Sequence, residues 1–333
     1  MRLLACALAL VAALVLLADL DLRVGDGGGA APLLIAPVVG GVAIADELAL
    51  PFGSLLLSPV GETFGPAPQP TPEPTPTPSI LADAQVISYY GNPYVAAMGI
   101  LGAADPETIV ALLEMQAARY DELNGPLGVV PALHLVYGVA QREPMDDGSY
   151  LLYTADEDVQ RYLALTEERG MLLFLDLQIG RNSVEEELQR VLPYLRNPQV
   201  HIALDPEFAM SEGQVPGTVI GSLRAADINQ AQAILQKLVE EEGLPPKMLI
   251  VHQFVDWMVL DGEEIERYPG VELIIDMDGF GPAEIKRAIY ERYANRPYAF
   301  NAAIKLFFEL DTDMMSEEEV LSLEPLPAIV IYQ

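Results

Sequence analysis

The chain has 333 residues, 18 basic and 49 acidic side chains, a formal net charge of −31 and 51% hydrophobic residues. This length and hydrophobicity suffice for one large domain or two ordinary ones with a substantial core. Such an acidic chain repels phosphate backbones and anionic headgroups, so nucleic acid is excluded as an expected partner. The single cysteine excludes a disulfide framework and a thiolate metal cluster.

The first residues have the pattern of an export signal. Arg2 precedes an unbroken apolar run from Leu3 to Ala18, as in the charged and apolar regions of a signal peptide. The run is shorter than the roughly 20 residues of a membrane span. Because no small-x-small site follows closely, residues 1–25 are either a cleaved signal or a retained anchor. We expect an extracellular or cell-surface protein that contacts a membrane only through this segment.

Two segments separate this leader from the expected domain. Residues 26–65 are apolar but interrupted by prolines, and their role stays open. Prolines then occupy every second position from Pro66 to Pro78. This composition favours extended polyproline II, at ~3.1 Å per residue, and predicts a spacer over residues 66–79.

From residue 80 to residue 333, short apolar runs alternate with helical segments. Eight runs predict strands: Val86–Tyr90, Ala132–Tyr137, Met171–Asp176, Val200–Asp205, Met248–His252, Val271–Asp276, Ala302–Phe307 and Ala328–Tyr332. Helix start signals lie between most of them, namely Asp105 before Pro106 and capping boxes at Thr154, Ser183 and Ser316. The alternation predicts an α/β protein with a parallel (β/α)8 TIM barrel.

Two places depart from the regular barrel pattern. The stretch from Asp261 to Tyr268, after the fifth strand, predicts only a short helix. The sequence also ends with the eighth strand, so we expect the barrel to lack a regular last outer helix. Residues 30–65 are a hypothetical cover for the flank that this leaves bare.

Active sites of this fold lie at the C-terminal ends of the strands, here called the mouth, and residues two apart on a strand share a face. The candidates are Asp176 and Gln178 (third strand), Asp205 and Glu207 (fourth), His252 or Gln253 (fifth), Asp276 and Asp278 (sixth), and Tyr89 or Tyr90, Lys305, Glu309 and Gln333. Acids directly after apolar runs are the strongest signal, because a charge beside a core costs several kcal/mol unless it is paired or functional. Asp276 lies deeper and can pair with Lys305.

Other polar and aromatic residues have a structural interpretation. His134 and His201 sit in mid-strand and are expected to be satisfied interior groups. Phe254 and Trp257 follow the fifth strand and form either a sugar-stacking platform or, more commonly for this fold, a lid packed on the barrel.

Residues 86–333 also resemble a family of exported bacterial (β/α)8-barrel proteins, actinobacterial and related, with glycoside-hydrolase-like architecture and no established activity. The resemblance runs through Ser88-Tyr-Tyr-Gly-Asn-Pro93, Leu175-Asp-Leu-Gln-Ile-Gly180, Ala203-Leu-Asp-Pro-Glu207, His252-Gln-Phe254, Met277-Asp-Gly-Phe-Gly281 and Val330-Ile-Tyr-Gln333. The resemblance implies the boundaries of the barrel and the polar residues at its rim, and it implies no catalytic activity.

An exported barrel with acids at its mouth favours glycoside hydrolysis of an envelope or environmental polysaccharide. An oxocarbenium-like transition state needs one carboxylic acid for the leaving oxygen and one carboxylate at the anomeric carbon. By analogy with retaining barrel families, Asp205 or Glu207 is expected as nucleophile or base and Asp278 as acid. The candidate catalytic set is Asp205, Glu207, Asp278 and Asp176, and the substrate-binding set is Tyr90, Gln178, His252, Gln253, Asp276, Lys305 and Gln333. We expect a monomer that binds a carbohydrate or cell-envelope polymer without a cofactor or bound metal.

Two alternatives remain open from the sequence. One is a non-catalytic module that binds glycans or cell wall, and the other is a Mg²⁺- or Ca²⁺-dependent hydrolase or lyase using Asp176, Asp205, Glu207 and His252. Acids across an open groove favour hydrolysis, three ligands around one point favour a metal, and acids paired with Lys305 favour binding or a structural role. There is no Gly-x-Ser-x-Gly motif and no phosphate-binding glycine loop between strand and helix.

Overall fold

The computed structural model describes residues 78–333. The predicted signal or anchor, the apolar segment 26–65 and all but the last two residues of the predicted spacer lie outside this range. Within the described range, no helix combines the length and hydrophobicity that a membrane crossing requires.

Eight parallel strands close into a barrel, which confirms the predicted α/β TIM-barrel architecture. They are β1 Ala84–Gly91, β2 Gly128–Ala140, β3 Leu172–Gly180, β4 Val200–Ala209, β5 Lys247–Gln253, β6 Val271–Met277, β7 Asn301–Leu306 and β8 Ile329–Tyr332. Each strand pairs in parallel with the next, and β8 pairs with β1. Because these strands are buried on both faces, they read as continuous apolar runs in the sequence.

Six α-helices follow the strands on the outside of the barrel: α1 Pro106–Leu123, α2 Asp156–Arg169, α3 Val184–Leu195, α4 Ala225–Glu242, α5 Ala283–Ala294 and α6 Glu317–Leu321. Between β5 and β6 the chain instead forms the 3-10 turns Asp256–Met258 and Gly262–Glu264. The short helix predicted after the fifth strand is thus reduced to single turns. A two-residue parallel pairing of Leu223–Arg224 with Val259–Leu260 joins the loops that follow β4 and β5.

Side-chain caps set most helix starts as the sequence predicted. Ser183 and Ser316 form reciprocal capping boxes. The capping box predicted at Thr154 is wrong, because α2 begins at Asp156 without a side-chain cap. The hydroxyl of Thr154 instead donates to the backbone oxygen of Val136, at 2.9 Å, so it ties this loop to β2.

The seam between β8 and β1 is covered within the described residues by tyrosines. Tyr332 of β8 shares a 2.9 Å hydrogen bond with Tyr120 of α1, and its ring contacts that of Tyr89 at 6.1 Å. An ion pair of 2.7 Å between Arg119 and Glu317 draws α1 and α6 together. Aromatic contacts and this ion pair therefore hold α1 and α6 together at the seam. The hypothesis that residues 30–65 cover this flank falls on residues outside the described range.

Candidate functional site

Polar side chains gather inside the C-terminal half of the barrel, where the strands end. Six of them are buried and lie on inward-facing positions, one on each of six strands: Tyr90, Asp176, Asp205, His252, Asp276 and Lys305. The apolar side chains of the preceding inward positions, such as Phe174, Ile250 and Ile274, form the core on which they rest. Alternation along the strands thus places the predicted acids at one end of a closed core.

His252 is the centre of a buried ionic triad, here defined as Asp176, His252 and Asp276. Nδ1 of His252 lies 2.8 Å from Oδ2 of Asp276, and Nε2 lies 3.0 Å from Oδ2 of Asp176. Burial lowers the pKa of His252, but Asp176 and Asp276 outweigh this and hold it well above its ordinary value. Although burial opposes its ionisation, Asp176 has a pKa well below the usual range because of His252 and His134. His252 is therefore an imidazolium that donates to two carboxylates.

Lys305 supplies the second buried positive charge. Its Nζ lies 3.1 Å from Oδ1 and 3.2 Å from Oδ2 of Asp278, and 3.7 Å from the centroid of the Tyr90 ring. Burial lowers the pKa of Lys305, but the surrounding carboxylates, Asp278 foremost, raise it above its ordinary value. A protonated amine is a counter-charge rather than a nucleophile, so Lys305 is suited to hold Asp278 ionised.

Asp205 and Glu207, at the end of β4, lie in surroundings that raise their pKa values, in contrast to those of Asp176. Burial is the main cause that raises the pKa of Asp205 to about 7, and its Oδ1 accepts from the backbone nitrogen of Glu207 at 3.1 Å. Burial, with added repulsion from Asp205 and Asp278, raises the pKa of Glu207 well above its ordinary value. Among residues 78–333 the Glu207 carboxyl has no hydrogen bond or ion pair, and the residue is half-buried. The surroundings of Glu207 thus favour its protonated form.

Asp278 lies close to both buried cations, Lys305 and His252, and its side chain is partly exposed at the mouth. Its side chain is 9% exposed, and its Oδ2 lies 3.4 Å from Nδ1 of His252 in addition to the contact with Lys305. Burial raises the pKa of Asp278 above its ordinary value, and Lys305 and His252 only partly offset that rise. At the mouth, Glu207 thus has no ion pair among the described residues, whereas Asp278 contacts Lys305.

Several predicted site residues are not brought into this cluster. Gln253 points to the other face of β5, where it accepts from Tyr298 at 3.1 Å. Gln178 is buried and accepts from the backbone nitrogen of Ala140 at 2.8 Å, so it holds the end of β2. Asp276 does belong to the cluster, but it contacts His252 and not Lys305, the partner that the sequence suggested.

The remaining candidates lie outside the cluster. Tyr89 faces α1, where its hydroxyl donates to the backbone oxygen of Leu112 at 3.4 Å. Glu309 is exposed, and Gln333 is half-buried beside Gly99. Phe254 packs into the barrel top while Trp257 is 40% exposed, so the lid interpretation holds for the phenylalanine alone.

The mid-strand histidines are interior groups, but the prediction that they are satisfied is wrong, because both ring nitrogens of His134 and Nε2 of His201 are buried without a hydrogen bond to any described residue. His134 is fully buried, stacks on Phe174 at 5.2 Å, and places Nε2 3.4 Å from Oδ2 of Asp176. His201 accepts through Nδ1 from the backbone nitrogen of Met248 at 3.1 Å. Burial lowers the pKa of both imidazoles, so both are neutral.

Sequence reasoning missed a buried pair beside the mouth, Lys286 of α5 and Asp311 after β7. Their Nζ and Oδ2 atoms are 3.1 Å apart, and both residues are buried. Lys286 shares the buried face of α5 with Ile289, Tyr290 and Tyr293. This helical spacing is the signal that identifies an inward-facing lysine.

Two sets of side chains have spacings that suit a metal ion: His134, Asp176 and His252, and His252, Asp276 and Asp278. The ligand atoms within each set lie within 4.8 Å of one another. Both sets depend on His252, whose two ring nitrogens already donate to carboxylates, and Lys305 adds a second positive charge nearby. A protonated imidazole has no lone pair for a metal, so a cation at either set would have to displace a proton of His252.

Comparison with known proteins identifies no family for this chain, so a function has to be inferred from the geometry of the site. No protein-family model matches the chain, and no curated protein sequence matches it significantly. The chain is therefore placed by its TIM-barrel fold and by the buried acids at its strand ends.

Proposed function

We propose that this protein is an exported glycoside hydrolase that cleaves an envelope or environmental polysaccharide at the barrel mouth. The observation that supports this is a difference between two carboxyls. The pKa of Glu207 is raised well above its ordinary value with no cation in contact among the described residues, whereas the smaller rise in the pKa of Asp278 is opposed by Lys305 and His252. Two carboxyls whose environments push their protonation states apart are what acid and base roles require.

Glu207 is the proposed general acid. It gives its proton to the leaving-group oxygen as the bond from that oxygen to the anomeric carbon breaks. Asp278 is the proposed carboxylate that attacks the anomeric carbon or activates the water that does so, and in either case water supplies the hydroxyl of the product. These roles reverse the expectation from the sequence, because a carboxyl in contact with a lysine is a poor proton donor.

The buried ionic triad has a supporting role in this proposal. Asp176 and Asp276 neutralise His252, and the imidazolium in turn lies 3.4 Å from Asp278. Fixed charges in a site that excludes water cost no reorganisation when the substrate reacts. We therefore assign Asp176, His252 and Asp276 to orientation of Asp278, and Asp205 to electrostatic support of the protonated Glu207.

The test is reducing-sugar release from a panel of purified cell-envelope and plant polysaccharides. Glu207→Gln and Asp278→Asn should each lower kcat by about 10²- to 10⁴-fold with the fold retained, the usual contribution of a positioned acid or base. Glu318→Gln and Asp121→Asn remove exposed carboxyls on α6 and α1 and should retain full activity. If the parent protein releases no sugar from any member of the panel, the proposed activity is wrong.

A leaving-group series separates the roles of the two acids. Glycosides of acidic phenols need no protonation of the leaving oxygen, so Glu207→Gln should hydrolyse them at near-parental rates while Asp278→Asn does not. Equal losses on activated and unactivated substrates would contradict the assignment of Glu207 as the acid.

A second candidate function is glycan binding without turnover. The pairing of Asp278 with Lys305, and of Asp176 and Asp276 with His252, favours it, because paired acids also occur as rigid binding surfaces. Under this alternative the parent protein should co-sediment with an insoluble cell-wall polysaccharide and release no sugar. Glu207→Gln should then change retention on the polysaccharide without any effect on a rate.

A further inference from the structure

The side chain of Lys286 holds together the two loops that carry Asp278 and Lys305. Its buried Nζ donates to the backbone oxygen of Gly279 at 2.6 Å and to the backbone oxygen of Lys305 at 2.6 Å. Its third contact is Oδ2 of Asp311, at 3.1 Å. All three hydrogens of the ammonium thus have an acceptor, and two of these acceptors belong to Lys305 itself and to the neighbour of Asp278.

Asp311 joins the same two loops from the other side. Oδ1 accepts from the backbone nitrogen of Gly281 at 2.9 Å, and Oδ2 accepts from the backbone nitrogen of Phe307 at 2.9 Å. Gly281 follows β6 and Phe307 follows β7, so the carboxylate bridges the strands that end in the ion pair. The contact between the rings of Phe280 and Phe307, at 6.1 Å, packs beside this bridge.

We propose that Lys286 and Asp311 are positioning residues that set the contact between Asp278 and Lys305 at the mouth. The role assigned to Asp278 as nucleophile or base rests on the proposed function, whereas the structural coupling does not. Since Lys286 fixes the backbone at both members of the ion pair, its loss lets Asp278 and Lys305 move apart. A pair with looser geometry holds the carboxylate of Asp278 less firmly in its ionised form.

Other charges also face Asp278, and they remain unchanged in the test. They are His252 from β5, Asp276 from its own strand, Asp205 and Glu207 from β4, and Tyr90 from β1. The parent and the variants share these groups, and whole titration curves are compared because neighbouring carboxyls interact as they titrate. Loss of the Lys286 charge also raises the pKa of Asp278 directly, whereas loss of the Asp311 charge acts in the opposite direction, so a rise in Asp311→Asn reports the geometry of the ion pair.

The measurement is the titration of the Asp278 side-chain carboxyl carbon by NMR in the parent, Lys286→Met and Asp311→Asn proteins. Both variants should raise the pKa of Asp278 by about one unit or more, the usual effect of weakening an ion pair. Tyr290→Phe is the matched control, because it removes a partly buried 2.7 Å hydrogen bond from the same helix to the backbone oxygen of Pro325, which is not an acceptor of Lys286 or Asp278.

The outcomes separate this inference from the proposed function. If the pKa of Asp278 in the folded Asp311→Asn variant equals that of the parent, the inference is wrong, and that variant decides the matter if Lys286→Met does not fold. A parent without sugar release overturns the proposed function but leaves the titration as a valid test. With an active parent, the acid limb of kcat/KM should move to higher pH together with the pKa of Asp278 in both variants and stay in place in Tyr290→Phe.

Discussion

The two ends of the barrel bury the same kinds of basic residue in opposite electrostatic surroundings. At the N-terminal end, Lys247 donates to the backbone oxygens of Asn197 and Val200 at 2.7 and 2.9 Å, and burial lowers its pKa to about 7. At the mouth, Lys305 contacts Asp278, and its pKa is raised. Both lysines are almost fully buried, so burial alone does not explain the difference.

The histidines repeat this contrast. His201 near the N-terminal end accepts a backbone hydrogen bond, and burial lowers its pKa well below the ordinary value, whereas the carboxylates around His252 raise its pKa well above it. Carboxylates gather around the buried cations at the mouth, and backbone carbonyls and nitrogens serve the basic residues at the other end. Buried basic side chains are therefore charged at the mouth and neutral or nearly so at the other end. Buried charges with shifted pKa values are typical of functional sites, which makes the mouth the candidate site.

The largest expected effect comes from removing the cation at the mouth. Lys305→Met leaves Asp278 buried without its partner, which should cost about 3 to 5 kcal/mol in the free energy of unfolding. The loss should be larger at pH 8 than at pH 5, because protonation of the carboxyls relieves it. Urea unfolding at both pH values measures this.

The control for Lys305→Met is Lys237→Met. The side chain of Lys237 is 73% exposed and lies 3.7 Å from Glu241, so its removal should change stability by under about 0.5 kcal/mol. A similarly small loss for Lys305→Met would show that the ion pair at the mouth contributes little to stability.

A second variant should make the His252 environment more like that of His201. Asp176→Asn removes one of the two carboxylates that hold the imidazolium, so the pKa of His252 should fall by about 1 to 3 units. Titration of the imidazole nitrogens by ¹⁵N NMR checks this, with the His201 signals as an internal reference that stays neutral. An unchanged midpoint for His252 would mean that Asp276 alone maintains the charge.

The smallest expected effect is a pH dependence at the other end of the barrel. Between about pH 7 and pH 10 the unfolded chain binds a proton at Lys247 that the folded protein does not, so this group makes stability rise with pH by up to about 1.4 kcal/mol per unit. Lys247→Met also leaves two carbonyls without a donor, at about 1 to 3 kcal/mol. The variant should therefore be further below the parent at pH 9.5 than at pH 7.

Thermal and urea unfolding of Lys247→Met and the parent at these two pH values test that sign. Lys237→Met again serves as the control, because an exposed lysine makes no comparable difference between folded and unfolded states. A deficit for Lys247→Met that is equal at both pH values would rule out a lowered pKa for Lys247.

The sequence by itself determined the eight strands, their parallel order, the capping boxes at Ser183 and Ser316, and the strand ends where the acids lie. These features depend on local patterns, namely apolar runs, cap spacing and the two-residue alternation of a strand. The alternation did not show whether His252 or Gln253 faces the inside of the barrel. Adjacent residues of a strand face opposite sides, and the sequence does not mark which of the two sides is the inner one.

Only the tertiary structure decided how the acids differ. Asp205, Glu207, Asp276 and Asp278 are equivalent in the sequence as acids after apolar runs, yet Asp276 pairs with His252, Asp278 pairs with Lys305, and Glu207 pairs with no described residue. The protonation of each acid depends on charged groups within a few ångströms of it, and these groups lie on strands that are distant in the chain. The same holds for Lys286, whose acceptors are backbone atoms of two loops. Closure of the barrel brings these groups together, and so it creates the different surroundings on which the proposed acid and base roles rest.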